Sequence, residues 1–136
     1  MPVKARQVQT QRQRVRQRWL RDVEQIVHQV EKWAKDRKWA VRREQKLIEE
    51  PRLGAYYVPV ASILAPAGQV QVEPVARYVA GGDGRIDLLA WPSLTRMMLI
   101  REGNRWVLRT DSGVRWPQGW SQRTFAYLVE ALNAAA

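Results

Sequence analysis

Trp19, Val23, Ile26, Val30 and Trp33 recur at spacings of 4, 3, 4 and 3, the period of an α-helix, and Leu20, Val27 and Ala34 widen the same stripe. No Pro or Gly falls between Val3 and Ala40. The pattern predicts a helix from about residue 6 to 38, roughly 50 Å long at 1.5 Å per residue. A globule built from this chain is about 37 Å across, so at least the first two helical turns should overhang it.

After Trp39 the period shortens from 3.6 to 2. AVRREQKLI alternates with so many polar positions that it reads as a solvated or edge strand. YYVPVASIL and QVQVEPVARYV follow, each interrupted by a proline, Pro59 and Pro74, that cannot donate to a ladder and belongs at an edge or a bulge. GGDG turns the chain into RIDLLAW. TRMMLIRE and RWVLRT then flank Gly103-Asn104, residues that tolerate the positive φ of a tight hairpin. Ser121 is placed as an N-cap for QRTFAYLVEAL, whose Phe125, Leu128, Val129 and Leu132 share one face. The order predicts an α+β fold: a long N-terminal helix, an antiparallel sheet of about six strands and a short C-terminal helix, both helices on one sheet face.

The uncharged run between Arg52 and Glu73 has the length of a membrane span, but prolines, glycines and glutamines punctuate it, and two strands explain it better. No apolar block follows the basic N-terminus as a secretory signal requires, and there is no cysteine, so the sequence-level expectation is a soluble, cytoplasmic protein without disulfides or thiolate metal sites.

Charge changes the picture more than composition does. The net charge is +10, yet residues 1–21 hold seven bases and no acid, while residues 22–136 are nearly balanced at +3. This divides the chain into a basic arm, residues 1–18, and a single α+β domain, residues 19–136. Lys4, Arg6, Arg12, Arg14, Arg16, Arg18 and Arg21 form a block that seeks polyanions, and nucleic acid, RNA or DNA, is the expected partner. Arg and Gln nearly alternate from residue 11 to 18, which spreads guanidinium groups around the helix without selecting one face. The arm lacks the apolar face a membrane-surface helix needs. In RWPQGWSQR, Trp116 and Trp120 stand among Arg115 and Arg123, the composition of a base-stacking platform, although large aromatics beside Pro and Gly turns also plug sheet ends.

Catalytic material is scarce. His28 is the only histidine and lies beside the apolar stripe, which leaves no nucleophilic triad and no His-based zinc site. Glu73, Arg77, Arg85 and Asp87, around GGDG, are the best candidates for a polar pocket. Within this region GRIDLLA, residues 84–90, resembles the G-x-I-D-L-I-A segment of restriction-endonuclease-like nucleases. The resemblance implies that Asp87 helps bind Mg²⁺ and that the next strand supplies a carboxylate, one spacer and a Lys. This chain has Leu99-Ile100-Arg101 there, with Glu102 one residue further on, so the implied domain is a degenerate one retaining Glu73, Asp87 and Glu102. The leading expectation is a non-enzymatic, cofactor-free protein that binds nucleic-acid backbone through its arm. The alternative is a protein-interaction or assembly module that docks or homodimerises through the apolar stripe of the long helix.

Overall fold

The computed structural model describes residues 3–134, with side chains from Thr10 onward. A single helix, α1, runs Val3–Asp36, and its end explains why it stops. Trp39 N–H bonds Ala34 O and Lys38 N–H bonds Lys35 O, both at 2.9 Å, while Lys38 takes a φ of +61°. This is a Schellman cap with lysine in the left-handed position that usually falls to glycine.

Six strands follow: β1 Ala40–Glu50, β2 Gly54–Ala65, β3 Gly68–Ala76, β4 Arg85–Trp91, β5 Arg96–Glu102 and β6 Arg105–Thr110, before the closing helix α2, Gln122–Ala134. They form one antiparallel sheet in sequential order β1 to β6, the α+β layout that the alternation implies. β1 lies at an edge, and its charged side chains oppose further pairing there. The chain from Val114 to Trp116 returns along β6 and bonds Thr110 N and Leu108 O, covering part of the opposite edge. Gly103-Asn104 is the two-residue connection of β5 to β6, and only Gly103 uses a positive φ, +62°.

Both prolines sit where the missing N–H costs little. Pro74 lies at the register shift of β3 against β4. Pro59 lies in the outer half of β2, which pairs with β1 but not with β3, whose ladder with β2 starts at Ala61. The outer β1–β2 hairpin is thus a two-stranded ribbon. It curls toward α1 and the end of β3: Arg16 donates to Leu53 O at 3.2 Å, and the buried Glu50 carboxylate accepts from Arg77 N at 3.1 Å, Tyr78 N at 3.0 Å and the Tyr56 hydroxyl. Along β2 the buried positions shift from Tyr56 and Val58 to Ala61 and Ile63, as strand twist rotates the face turned to the core.

The core lies between one sheet face and the helices. Ile63, Val70 and Ala90 form one cross-strand row; Ala61, Val72, Leu88 and Met97 form the next; Ile86, Leu99 and Leu108 form a third, all buried with Trp19, Val23, Ile26, Val27, Val30 and Ala34 of α1 and Phe125, Leu128, Val129 and Leu132 of α2. Ser121 caps α2, its Oγ accepting from Thr124 N at 3.2 Å. No helix among the described residues is long and apolar enough to cross a membrane.

Candidate nucleic-acid interface

At 100° per residue the buried stripe of α1 fixes which way every other side chain on it points. Arg12 and Arg16 fall on the core side. Arg16 therefore reaches Leu53 on the ribbon, while Arg12, one turn earlier, is exposed, and Val15 is the first side chain on α1 among the described residues to pack on the core. Arg14, Arg18 and Arg21 fall on the opposite side, in line with Gln25, His28 and Lys32, and all six are exposed. Sequence alone gave these arginines no common face. Lys4 and Arg6 belong to α1, but their side chains lie outside the described residues.

The carboxylates of α1 occupy its flanks and are engaged by the body. On one flank Arg43 of β1 bonds Glu24 at 2.9 Å and also pairs with Glu31, and these bonds raise its pKa, with Glu31 the stronger influence. On the other, Asp22 pairs with Arg101 of β5, and Asp36 accepts from Gln122 of α2 at 3.3 Å. The result is a ridge from Arg14 to Lys32, about 27 Å long, that carries bases and neutral residues only.

Beside this ridge a cleft of about 260 Å³ is lined by Val15, Arg18, Asp22, Arg77, Asp83, Arg101, Gly103 and Asn104. Burial, followed by the charge of Arg18, pushes the Arg101 guanidinium below its ordinary pKa. Asp83, from GGDG, accepts from Gly103 N at 3.0 Å and ties this loop to the β5–β6 turn.

On the other side of that turn lie two adjoining cavities of about 400 and 430 Å³. Arg105, Arg115 and Trp116 line the first, Trp116, Arg123 and Tyr127 the second, and Gln118 borders both. Trp116 stacks on Tyr127 at 5.8 Å between centroids with planes 27° apart. The two tryptophans of RWPQGWSQR are both half-buried against the core but have different neighbours: Trp120 donates to Gln29 at 3.1 Å and packs on Trp33 at 5.4 Å, while Trp116 stacks on Tyr127 and lines both cavities with Arg115 and Arg123.

The four residues of the expected polar pocket do not converge. Glu73 and Asp87 are cross-strand partners on the sheet face away from the helices, but each has its own cation: Lys46 holds Glu73 at 2.6 Å, Arg85 clamps Asp87 at 2.7 and 2.9 Å, and Arg96 approaches Asp87 at 3.5 Å. The Arg85 guanidinium gains basicity chiefly from that clamp. Arg77 stands in the cleft beside α1. For the nuclease resemblance, Met98 is the residue opposite Asp87, Leu99 points into the core, and Glu102 pairs with Arg109 and, at 3.6 Å, Arg115. Among the described residues no group of three His, Asp or Glu side chains is placed to share a metal ion.

Sequence reading overlooked Tyr127, Arg105 and Lys32. Tyr127 was legible as a large aromatic on the polar side of α2, but its contact with Trp116 depends on how the Trp116–Ser121 loop folds. Comparison of this chain with protein-family models, characterised proteins and solved structures gave no match.

Proposed function

We propose that the protein binds nucleic acid by its phosphate backbone, with the ridge Arg14, Arg18, Arg21 and Lys32 as the docking surface and Lys4, Arg6 and Arg12 adding positive charge on the arm. The observation that carries this reading is the sideways engagement of Asp22, Glu24 and Glu31 by sheet arginines, which leaves a ridge of bases and neutral residues without a carboxylate. Guanidinium groups suit the task because their planar fork meets a phosphate bidentately. Contacts of this kind position a protein without reading sequence, so binding is expected to be tolerant of sequence. The role is binding rather than turnover, since the carboxylates that phosphodiester chemistry would recruit are held by Lys46, Arg85, Arg96 and Arg109.

The assembly alternative places Trp19, Val23, Ile26, Val30 and Trp33 at a contact with another chain. Trp19, Val23, Ile26 and Val30 are at most 1% exposed against the protein's own sheet, and Trp33 is half-buried against Trp120 and Phe125. Docking through that stripe would require the fold to open.

The test compares two variants that lose the same charge: Arg14→Gln/Arg18→Gln/Arg21→Gln on the ridge, and Arg37→Gln/Lys38→Gln/Arg42→Gln off it. The ridge variant should lose most affinity for labelled oligonucleotides while the other keeps it. Equal losses would reduce the effect to net charge and refute a docked ridge.

A further inference from the structure

The paired cavities around Trp116 combine properties that the backbone-binding ridge does not use. Trp116 and Tyr127 stack on each other, Tyr127 remains 58% exposed, and half-buried Trp116 lines both cavities. Each cavity falls within the size range of small-ligand sites. Their lining carries Arg105, Arg115 and Arg123, all exposed, and no carboxylate. Glu102, outside the lining, pairs with Arg109 as well as with Arg115 at 3.6 Å. Thr124 and Gln118 add neutral hydrogen-bonding groups.

An aromatic surface flanked by exposed guanidinium groups fits a flat apolar ring attached to an anion. A nucleobase on its phosphate chain has that chemistry, and stacking tolerates any base because every base offers a π-face. A base inside a duplex is already stacked and paired, so the groove favours unpaired strands. The position supports the same reading: Asn104 lines the cleft that holds Arg18 of the ridge, and the next residue, Arg105, lines the first aromatic cavity. A strand lying on the ridge can cross the β5–β6 turn into the groove.

We infer that Trp116 and Tyr127, with Arg105, Arg115 and Arg123, form a stacking site for unpaired bases, so that single-stranded RNA or DNA is the preferred form of the nucleic acid. This rests on the backbone-binding reading for the remainder of the strand and adds a site that acts on bases.

The probes are a labelled oligothymidylate, an abasic strand with the same number of phosphates and a duplex hairpin of equal charge. The variants are Tyr127→Ala, Tyr127→Phe and the ridge variant Arg14→Gln/Arg18→Gln/Arg21→Gln. Tyr127 is exposed on a helix, so its substitution leaves the core intact, and circular dichroism checks this. Tyr127→Ala should weaken oligothymidylate binding roughly 5- to 150-fold, the worth of one stacked base, while leaving the abasic strand and the hairpin unchanged; Tyr127→Phe should bind like the native protein. Weakening by the ridge variant but not by Tyr127→Ala would overturn the stacking site and leave the ridge standing. Abasic and base-bearing strands bound equally by the native protein would also overturn it. Failure of the native protein to bind any of the three probes would instead remove the backbone-binding reading, and the stacking site with it.

Discussion

Gly84→Ala tests the packing that seats α1 on the sheet. A Cβ at Gly84 would lie 2.7 Å from Cη2 and 2.9 Å from Cε3 of Trp19, and nearer still to Cζ3. The indole has nowhere to retreat, because it is fully buried and its ring centroid lies 6.3 Å from that of Trp106. Overpacking of this kind costs about 1–3 kcal/mol. The backbone at Gly84, with φ at +157°, adds about 1–3 kcal/mol for any residue carrying a side chain. The two contributions separate in a double-mutant cycle with Trp19→Leu, which removes the clashing ring atoms and alone costs about 2–3 kcal/mol, less than truncation to Ala. In the Leu background Gly84→Ala should retain only its backbone cost, giving a favourable coupling of about 1–3 kcal/mol. Guanidinium unfolding followed by far-ultraviolet circular dichroism measures all four corners. Additivity within about 0.5 kcal/mol would refute the steric contact and place Trp19 elsewhere.

Four further outcomes follow from named contacts. Burial first, then the Glu50 carboxylate, raises the pKa of Tyr56 above the ordinary 10, so the folded state favours the neutral phenol. That stability is complete below about pH 10 and declines as pH rises further; Tyr56→Phe should flatten the alkaline decline in melting temperature, and an unchanged decline would refute it. Lys38→Gly at the helix cap should relieve left-handed strain and stabilise by about 0.5–1 kcal/mol, read as a rise of a few degrees in melting temperature. Trp33→Ala should cost about 2–3 kcal/mol, below the figure for a fully buried indole, because Trp33 is only partly buried. Arg43→Gln frees Glu24 and Glu31 beside the ridge and should weaken oligonucleotide binding roughly two- to fourfold at low salt, without a matching loss for Arg42→Gln.

The elements whose stabilising contacts are local were legible in the sequence. The 4-3-4-3 stripe located α1, alternation located the strands, and Pro74 and Gly103 marked a bulge and a turn that the structure contains. What could not be read depends on orientation between elements. Arg14, Arg18 and Arg21 form a ridge only because the acids on the helix flanks are spoken for by Arg43 and Arg101, which lie 19 residues from Glu24 and on the far side of the sheet sequence from Asp22. Glu73, Arg77, Arg85 and Asp87 looked like one cluster because they are close in sequence. The β3 bulge and the Glu50 carboxylate instead turn the chain at Arg77 toward α1, and Arg85 and Asp87 remain on the opposite sheet face. Trp33 belongs to the stripe by its spacing, and its half-buried indole packs against the core beside Trp120 and the α2 residue Phe125, a contact that spacing alone does not give.

Salt dependence of binding to a labelled single strand measures the proposed role most directly. Four ridge contacts, with three more from Lys4, Arg6 and Arg12, imply a slope of log affinity against log salt between about −3 and −6, at 0.7 to 0.9 per phosphate. The ridge variant should lose roughly two to three units of that slope together with most of the affinity, while replacing Arg14, Arg18 and Arg21 by Lys should keep the slope and lose affinity through the missing bidentate geometry. Weak binding with a shallow slope, the same for the native protein and the ridge variant, would contradict the assignment of α1 as a phosphate-binding surface.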